Sequence, residues 1–135
     1  MHFRGTDHNH PNDPGHGARV ELDVYIDKLR DILETDQFNT VFLCSDESNV
    51  LDKITNFLIH KCGVQHIIIN PVTRITGSAG LHWGNYEFNK VRLADEVILD
   101  AHCLAACEAV IGKTSNLINF ARILTPSINV HYTDL

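Results

Sequence analysis

Apolar residues recur along the chain with two spacings, one typical of helices and one typical of buried strands. Short continuous apolar runs, such as the one at 40–45, indicate strands that are covered on both faces. The predicted helices span 20–33, about 46–60, 88–107 and 113–124, and the predicted strands span 40–45, 64–70, 108–112 and 126–132. Strands that alternate with helices predict an α/β fold with a Rossmann-like parallel sheet flanked by helices on both faces.

The helix that follows the first predicted strand has signals at both ends. Ser45 or Asp46 is suited to cap its amino end, and the acids Asp46 and Glu47 suit the positive end of a helix dipole. Gly63 stands at the carboxyl end, where glycine is favoured.

Polar segments follow three of the predicted strands, at 45–47, 71–86 and 113–116. Ligands of such sheets bind beyond the carboxyl ends of the strands, so the three segments are expected to share one cleft. A segment rich in His, Asn, Pro and Gly at 8–19 is predicted to be a loop.

Length and composition limit the possible functions. The 135 residues are expected to form a single domain, 1–135, and 44% hydrophobic residues exclude a chain that is disordered throughout. A net charge of −6 argues against nucleic acid as a partner, and no apolar run predicts a membrane segment. The four cysteines form no CxxC pair and are interpreted as reduced structural thiols, which favours a cytoplasmic location.

Arg4 is the strongest candidate for binding a phosphate. Its guanidinium matches phosphate oxygens with a planar fork of donors, and Gly5 and Thr6 beside it suit a close approach. The alternative is an exposed salt bridge to Asp7, which would contribute little.

Three residues at the start of the last predicted helix are candidates for the same anion. Backbone amides at a helix start, helped by the hydroxyls of Thr114 and Ser115 and by Asn116, form an anion site. Capping of the helix by Thr114 or Ser115 is the alternative, and both roles can coexist. Asp100 lies in an apolar helical stretch, where a buried carboxylate needs a partner such as a guanine edge. The alternative is a partly exposed acid that pairs with a local base.

Two other kinds of chemistry remain open. A cluster of imidazoles and carboxylates near the amino end suggests a zinc-dependent hydrolase, although no second cluster supplies a fourth ligand: His2, Asp7, His8, His10, Asp13 and His16. The Asp46–Glu47 pair has the residue types for general acid–base catalysis.

The order of motifs resembles that of α-1,6-fucosyltransferases and their nodulation-factor relatives, with a more distant similarity to protein O-fucosyltransferases. The resemblance spans nearly the whole chain. The motifs, in order, are His-x-Arg-x-Thr-Asp from His2, Ser-Asp-Glu from Ser45, Ser-Ala-Gly-Leu-His from Ser78, Val-Ile-Leu-Asp-x-His from Val97 and Thr-Ser-Asn from Thr114.

The resemblance implies the carboxyl-terminal, donor-binding half of a GT-B fold and an inverting transfer from GDP-fucose without a metal ion or cofactor. It implies that Arg4 binds the β-phosphate and stabilises departing GDP, while His2 and Asp100 contact the guanine end. The resemblance further implies that Asp46 and Glu47 line the site, and that Ser115 and Asn116 take the place of a Ser-Gln pair that contacts phosphate. Asp7 and Thr114, which lie in the matched motifs, are further candidate substrate-binding residues. The acceptor, a glycan or other hydroxyl compound, would bind a domain that this chain lacks.

The chain also departs from the family. Gly5 stands where the core enzymes have a second arginine, and His8 stands where they have lysine. Their proposed catalytic base, a glutamate, aligns near Asn12, so the adjacent Asp13 is the candidate base. A non-catalytic nucleotide-sugar-binding module is therefore the alternative function. The first motif is expected to follow a strand, so either that strand is absent or the chain is the carboxyl half of a larger protein, luminal if the protein is eukaryotic.

Overall fold

The computed structural model of the chain describes residues 1–4, 20–36, 38–74 and 89–135. Within these residues, strands and helices alternate along the chain, as the sequence predicts. The elements are β1 His2–Phe3, α1 Leu22–Asp36, β2 Thr40–Ser45, α2 Ser48–Phe57 with a π-helical turn Leu58–Cys62, β3 His66–Ile69, α3 Lys90–Ala105, β4 Ala109–Gly112, α4 Asn116–Leu124 and β5 Asn129–Tyr132.

The five strands form one all-parallel sheet in the order β3-β2-β1-β4-β5. The chain builds outward from β1 to β3 and then returns to β4 on the other side of β1. Right-handed crossovers place helices on opposite faces when the direction of building reverses. The reversal makes the carboxyl ends of β1 and β4 the switch point, where sheets of this kind bind ligands. The predicted Rossmann-like α/β fold is confirmed.

Two hydrophobic clusters pack on the two faces of the sheet. Val41 and Leu43 of β2 join the cluster under α1 and α2, whereas Phe42 and Cys44 join the cluster under α3 and α4. This alternation follows from the two-residue period of a strand. On the first face, the ring of Phe3 lies 4.8 Å from the ring of Tyr25, which fixes α1 over β1.

The ends of α2 match the sequence prediction at one end only. The amino cap is Glu47, not Ser45 or Asp46, and its side chain makes no capping hydrogen bond. The Ser45 hydroxyl instead accepts from the Glu47 amide at 3.1 Å, which adds a turn before the helix starts. Gly63 ends the π-helical turn with a φ of 64°, a left-handed conformation that glycine adopts without strain.

The central strand differs most from the sequence prediction. His2 and Phe3 themselves form β1, which pairs with β2 on one side and with β4 on the other. Two residues are too few to show a strand period, which is why this element escaped prediction. The predicted strand at 64–70 is the edge strand β3, where Ile68 remains 50% exposed.

Two further findings bear on the chain as a whole. All four cysteines lie in described segments and are free thiols. In the described ranges, no helix has both the length and the apolar character needed to cross a membrane.

Candidate functional site

Three of the predicted site residues lie in one row at the carboxyl edge of the sheet. His2 pairs with Cys44 of β2 and with Gly112 of β4. Arg4 directly follows β1, Asp46 directly follows β2, and Thr114 lies two residues after β4; these three residues form the row. The carboxyl ends of β2, β1 and β4 therefore bring a cation, an acid and the segment before α4 together at the switch point.

Two buried polar residues lie next to this row along the chain: His2 is two residues before Arg4, and Glu47 directly follows Asp46. Met1 and Phe3 point into the cluster under α1 and α2, so His2 points toward the face that carries α3 and α4. Both His2 and Glu47 are buried, at 7% exposure each. Buried groups of this kind are constrained by their surroundings and are therefore suited to position a ligand.

The start of α4 is held close to the sheet by a glycine. A Cβ at Gly112 would lie 2.9 Å from Cδ1 of Ile118 and 3.3 Å from the carbonyl oxygen of His2. Ser115 caps the helix, and its hydroxyl accepts from the Ile118 amide at 3.3 Å. The predicted capping role of Ser115 is confirmed. The cap and the close contact at Gly112 together fix the start of α4 at the switch point.

A carboxylate already lies at the segment before α4. The amide of Thr114 donates to the two carboxylate oxygens of Asp134 at 3.0 and 3.2 Å, and the Thr114 hydroxyl lies 3.2 Å from the nearer one. The Thr114 amide therefore binds an anion, the side chain of Asp134, two residues after β5. Sequence reasoning missed Asp134, although its position just after the last strand was a usable signal.

Asp100 lies outside this row, in α3. Its carboxylate is buried and accepts from the side-chain amide of Asn70 at 2.8 Å. Burial raises the pKa of Asp100, while the Asn70 hydrogen bond and the charge of Arg74 act in the opposite direction. The predicted burial of Asp100 is confirmed, and its partner within the described residues is an amide of the chain. Asn70 directly follows β3, which lies two strand spacings, about 10 Å, from β1.

The segment after β3 is held by α3. Glu96 accepts from the amide of Thr73 at 2.9 Å and from its hydroxyl at 3.1 Å, and it also pairs with Arg92. Burial would raise the pKa of Glu96, but these hydrogen bonds outweigh it and hold the pKa below its usual range. Arg74 donates to the carbonyl oxygens of Asn70 and Val72. These contacts place the guanidinium of Arg74 near Asp100.

Sequence reasoning also missed Lys113, which is only 5% exposed at the end of β4. Lysine is seldom buried unless it is paired, so its burial beside the switch point marks a structured polar environment. Tyr25 of α1 lies close to the Lys113 backbone, and burial raises the pKa of its phenol.

Several predicted residues lie outside the described residues. These are Asp7 and the candidate base Asp13, together with the imidazoles of the proposed zinc cluster other than His2. Within the ranges that are described, no group of three or more His, Cys, Asp or Glu side chains is arranged to hold a metal ion.

A cavity of about 660 Å³ lies at the opposite, amino-terminal edge of the sheet. It is lined by the first residues of β2 and β4, by Met1 and by the carboxyl ends of α1 and α3. The cavity is lined by none of the predicted site residues that lie in the described ranges, so it does not support the predicted site. Comparisons of the chain with protein-family models, with curated proteins and with solved structures find no match.

Proposed function

We propose that this domain binds GDP-fucose and acts as the donor domain of an inverting, metal-independent fucosyltransferase. The observation that carries the proposal is the row formed by Asp46, Arg4 and Thr114 at the switch point. It supports a diphosphate site because a guanidinium and a helix start are the two groups most suited to bind phosphate. The acceptor, a glycan or other hydroxyl compound, binds groups outside this chain.

In this proposal Arg4 acts on the leaving group. The acceptor hydroxyl attacks C1 of fucose, the bond from C1 to the β-phosphate oxygen breaks, and GDP departs with the bonding electrons. Arg4 stabilises the negative charge that develops on the β-phosphate. Asp13 is the proposed base that takes the acceptor proton.

His2 and Asp100 are proposed to hold the guanine end. Support comes from their placement, because His2 points to the face of the sheet on which α3 carries Asp100. A carboxylate accepts from the adjacent N–H donors of guanine, which adenine and uracil do not present in that arrangement. The proposal therefore predicts selectivity for guanine nucleotides.

A non-catalytic nucleotide-sugar-binding module is the second candidate. It is favoured by Asn12, which cannot take a proton where the family has its base, and by the Asp134 carboxylate on the Thr114 amide. The two candidates share the binding site and differ in turnover. Release of GDP from GDP-fucose in the presence of a glycan acceptor would exclude the non-catalytic module.

Calorimetric titration of the full chain tests binding. GDP and GDP-fucose are expected to bind, GDP-mannose to bind more weakly, and ADP and UDP not to bind. Arg4→Ala is expected to weaken GDP binding at least about tenfold, because hydrogen bonds to charged groups contribute about 1.5–3 kcal/mol. Equal affinity for ADP and GDP would exclude guanine recognition by Asp100.

Two further variants make the titration specific. Arg30→Ala removes an exposed arginine of α1 that pairs with Asp27, so it is the charge-matched control and should bind GDP normally. Asp134→Asn keeps an acceptor for the Thr114 amide but removes the resident negative charge, so GDP should bind a few-fold more tightly. Unchanged affinity in Arg4→Ala would contradict the proposal.

A further inference from the structure

Among the described residues, strand β3 forms one side of the sheet and pairs only with β2. The His66 amide donates to the carbonyl oxygen of Asn39, so the backbone of His66 faces β2. Backbone groups alternate in direction along a strand, so Ile68 also faces β2, whereas Ile67 and Ile69 face outward. The outward amides and carbonyls of these two isoleucines are the groups that a further strand would pair with.

The side chains of β3 leave apolar surface on both faces of the sheet. Ile68 pairs with Phe42 and points to the face that carries α3, whereas Ile69 pairs with Leu43 and points to the face that carries α2. Ile68 is 50% exposed and Ile69 is 37% exposed. Ile68 also borders the cavity at the amino edge, but the outward backbone of Ile67 and Ile69 faces away from β2 and from that cavity.

Apolar side chains of the two flanking helices extend this surface. Phe57 of α2 contacts Arg30 of α1, so Ile59, two positions later, lies on the side of the helix that is turned away from α1 and toward β3. In α3, Glu96 binds the segment after β3, and Leu99 lies three positions later on the same side of the helix. Both Ile59 and Leu99 are about half exposed. We call the combined region the β3 surface: Ile59, Ile67, Ile68, Ile69 and Leu99.

The β3 surface is uncharged along its strand, although the chain is acidic. Residues 64–72 contain no Asp, Glu, Lys or Arg, whereas the whole chain has a net charge of −6. Natural edge strands usually carry charges that block pairing with a second strand. Two acidic copies repel each other least where their surfaces carry no charge, so the β3 surface is suited to contact between copies.

We propose that the β3 surface binds a second copy of this chain, with the two β3 strands antiparallel about a two-fold axis through Ile68. Ile67 then lies opposite Ile69 of the second copy, and each such pair exchanges both of its backbone hydrogen bonds. Ile68 lies opposite its own equivalent, on the face that carries α3. The two-fold symmetry gives a closed dimer. This inference does not depend on nucleotide binding, which involves the carboxyl edge of the sheet.

The pattern of β3 favours a second copy over other occupants. An extended polypeptide pairs with the outward groups of both Ile67 and Ile69, which a helix or a small apolar molecule does not. Three consecutive isoleucines are self-complementary, since reversal of the strand about Ile68 places isoleucine opposite isoleucine on both faces. A strand of four residues gives a small interface, so the dimer is expected to dissociate on dilution.

Sedimentation and amide hydrogen exchange of the full chain, over about a hundredfold range of concentration, test the proposal. The mean mass should rise toward that of a dimer, and exchange of the Ile67 and Ile69 amides should slow about tenfold or more. The Ile68 amide, which faces β2, is the internal control and should change less. The proposal is wrong if the chain stays monomeric. It is also wrong if a dimer forms without slower exchange at Ile67 and Ile69, or if these amides exchange equally slowly at every concentration.

A lysine at the two-fold axis tests the surface. Ile68→Lys places two ammonium groups opposite each other, so the dimer should weaken at least about tenfold. Ile123→Lys is the matched control, because Ile123 is 73% exposed on α4, which connects β4 with β5 on the other side of the sheet. This control should dimerise like the unmodified chain. Equal dimerisation of the two lysine variants would rule out the β3 surface.

Ile68→Cys tests the antiparallel register without relying on a charge. Residues opposite each other at such an axis have Cα atoms about 4.5 Å apart, which a disulfide can span. Mild oxidation should therefore link the Ile68→Cys chains into a covalent dimer. Ile69→Cys is the control, because its equivalent lies diagonally across the pair, about 7–8 Å away and too far for a disulfide. The four native thiols are common to both variants. Equal cross-linking of the two variants, or none in Ile68→Cys, would overturn the proposal.

Discussion

The carboxyl and amino edges of the sheet differ in the side chains that line them. At the carboxyl edge, β2, β1 and β4 end together, and Asp46, Arg4 and Thr114 follow them in one row. At the amino edge, a cavity is lined by apolar residues such as Leu29 and Ile111. Parallel strands make this difference possible, because all their carboxyl ends meet at one edge.

The contrast teaches that the cavity and the proposed binding site lie apart in this domain. The apolar cavity lies at the amino edge, whereas the polar groups of the proposed site lie where the strand order reverses. A substitution at one edge should therefore alter stability, and a substitution at the other should alter binding.

The largest expected effect concerns the amino edge. Leu29→Ala removes a 3% exposed side chain of the first hydrophobic cluster, and should lower the free energy of unfolding by about 2–5 kcal/mol. Affinity of the folded protein for GDP should not change. Leu29→Met, which conserves volume, is the control and should cost less than about 1.5 kcal/mol. A matching loss of GDP affinity in Leu29→Ala would break the contrast between the edges.

An intermediate effect is expected at Ser115, where structure and binding can be separated. Ser115→Ala removes the cap of α4 and should cost about 1 kcal/mol of stability in urea unfolding. Ser115→Asp keeps a capping oxygen and should leave stability close to that of the unmodified chain. Its negative charge at the proposed phosphate site should nevertheless weaken GDP binding, measured by calorimetry. Normal GDP affinity in Ser115→Asp would mean that phosphate does not approach α4.

The smallest expected effect is a pH dependence on α3, where two acids one turn apart shift in opposite directions. The raised pKa of Asp100 means that its charged form costs stability at neutral pH, and this cost is relieved as pH falls through the raised value toward about 3.9. Asp100→Asn should therefore raise the free energy of unfolding at pH 7 by less than about 1 kcal/mol, and this gain, measured by urea unfolding, should shrink at lower pH.

Glu96→Gln is the opposing control for Asp100→Asn. Because the pKa of Glu96 is lowered, its contribution is present above about 4.3, the usual value for glutamate, and is lost as pH falls through the lowered value. This variant should lose stability at pH 7 and match the unmodified chain in acid. Parallel pH profiles for the two variants would contradict the opposite shifts.

The residues that were predictable from sequence have local causes. Gly63 ends a helix because only glycine enters the left-handed region freely, and Ser115 caps α4 because its hydroxyl reaches an amide three residues on. Asp100 is buried although the three apolar residues before it, at 97–99, are exposed. Its partner Asn70 had no local signal, because the contact joins residues thirty positions apart.

The sequence by itself determined the alternation of strands and helices, because apolar spacing is a local property that each segment carries alone. Only the tertiary structure decided that His2 and Phe3 form the central strand between β2 and β4, and that Asp134 reaches the Thr114 amide. These features depend on pairing between distant segments. Local patterns predict that such strands exist, but the order in which they pair is set by packing of the whole sheet.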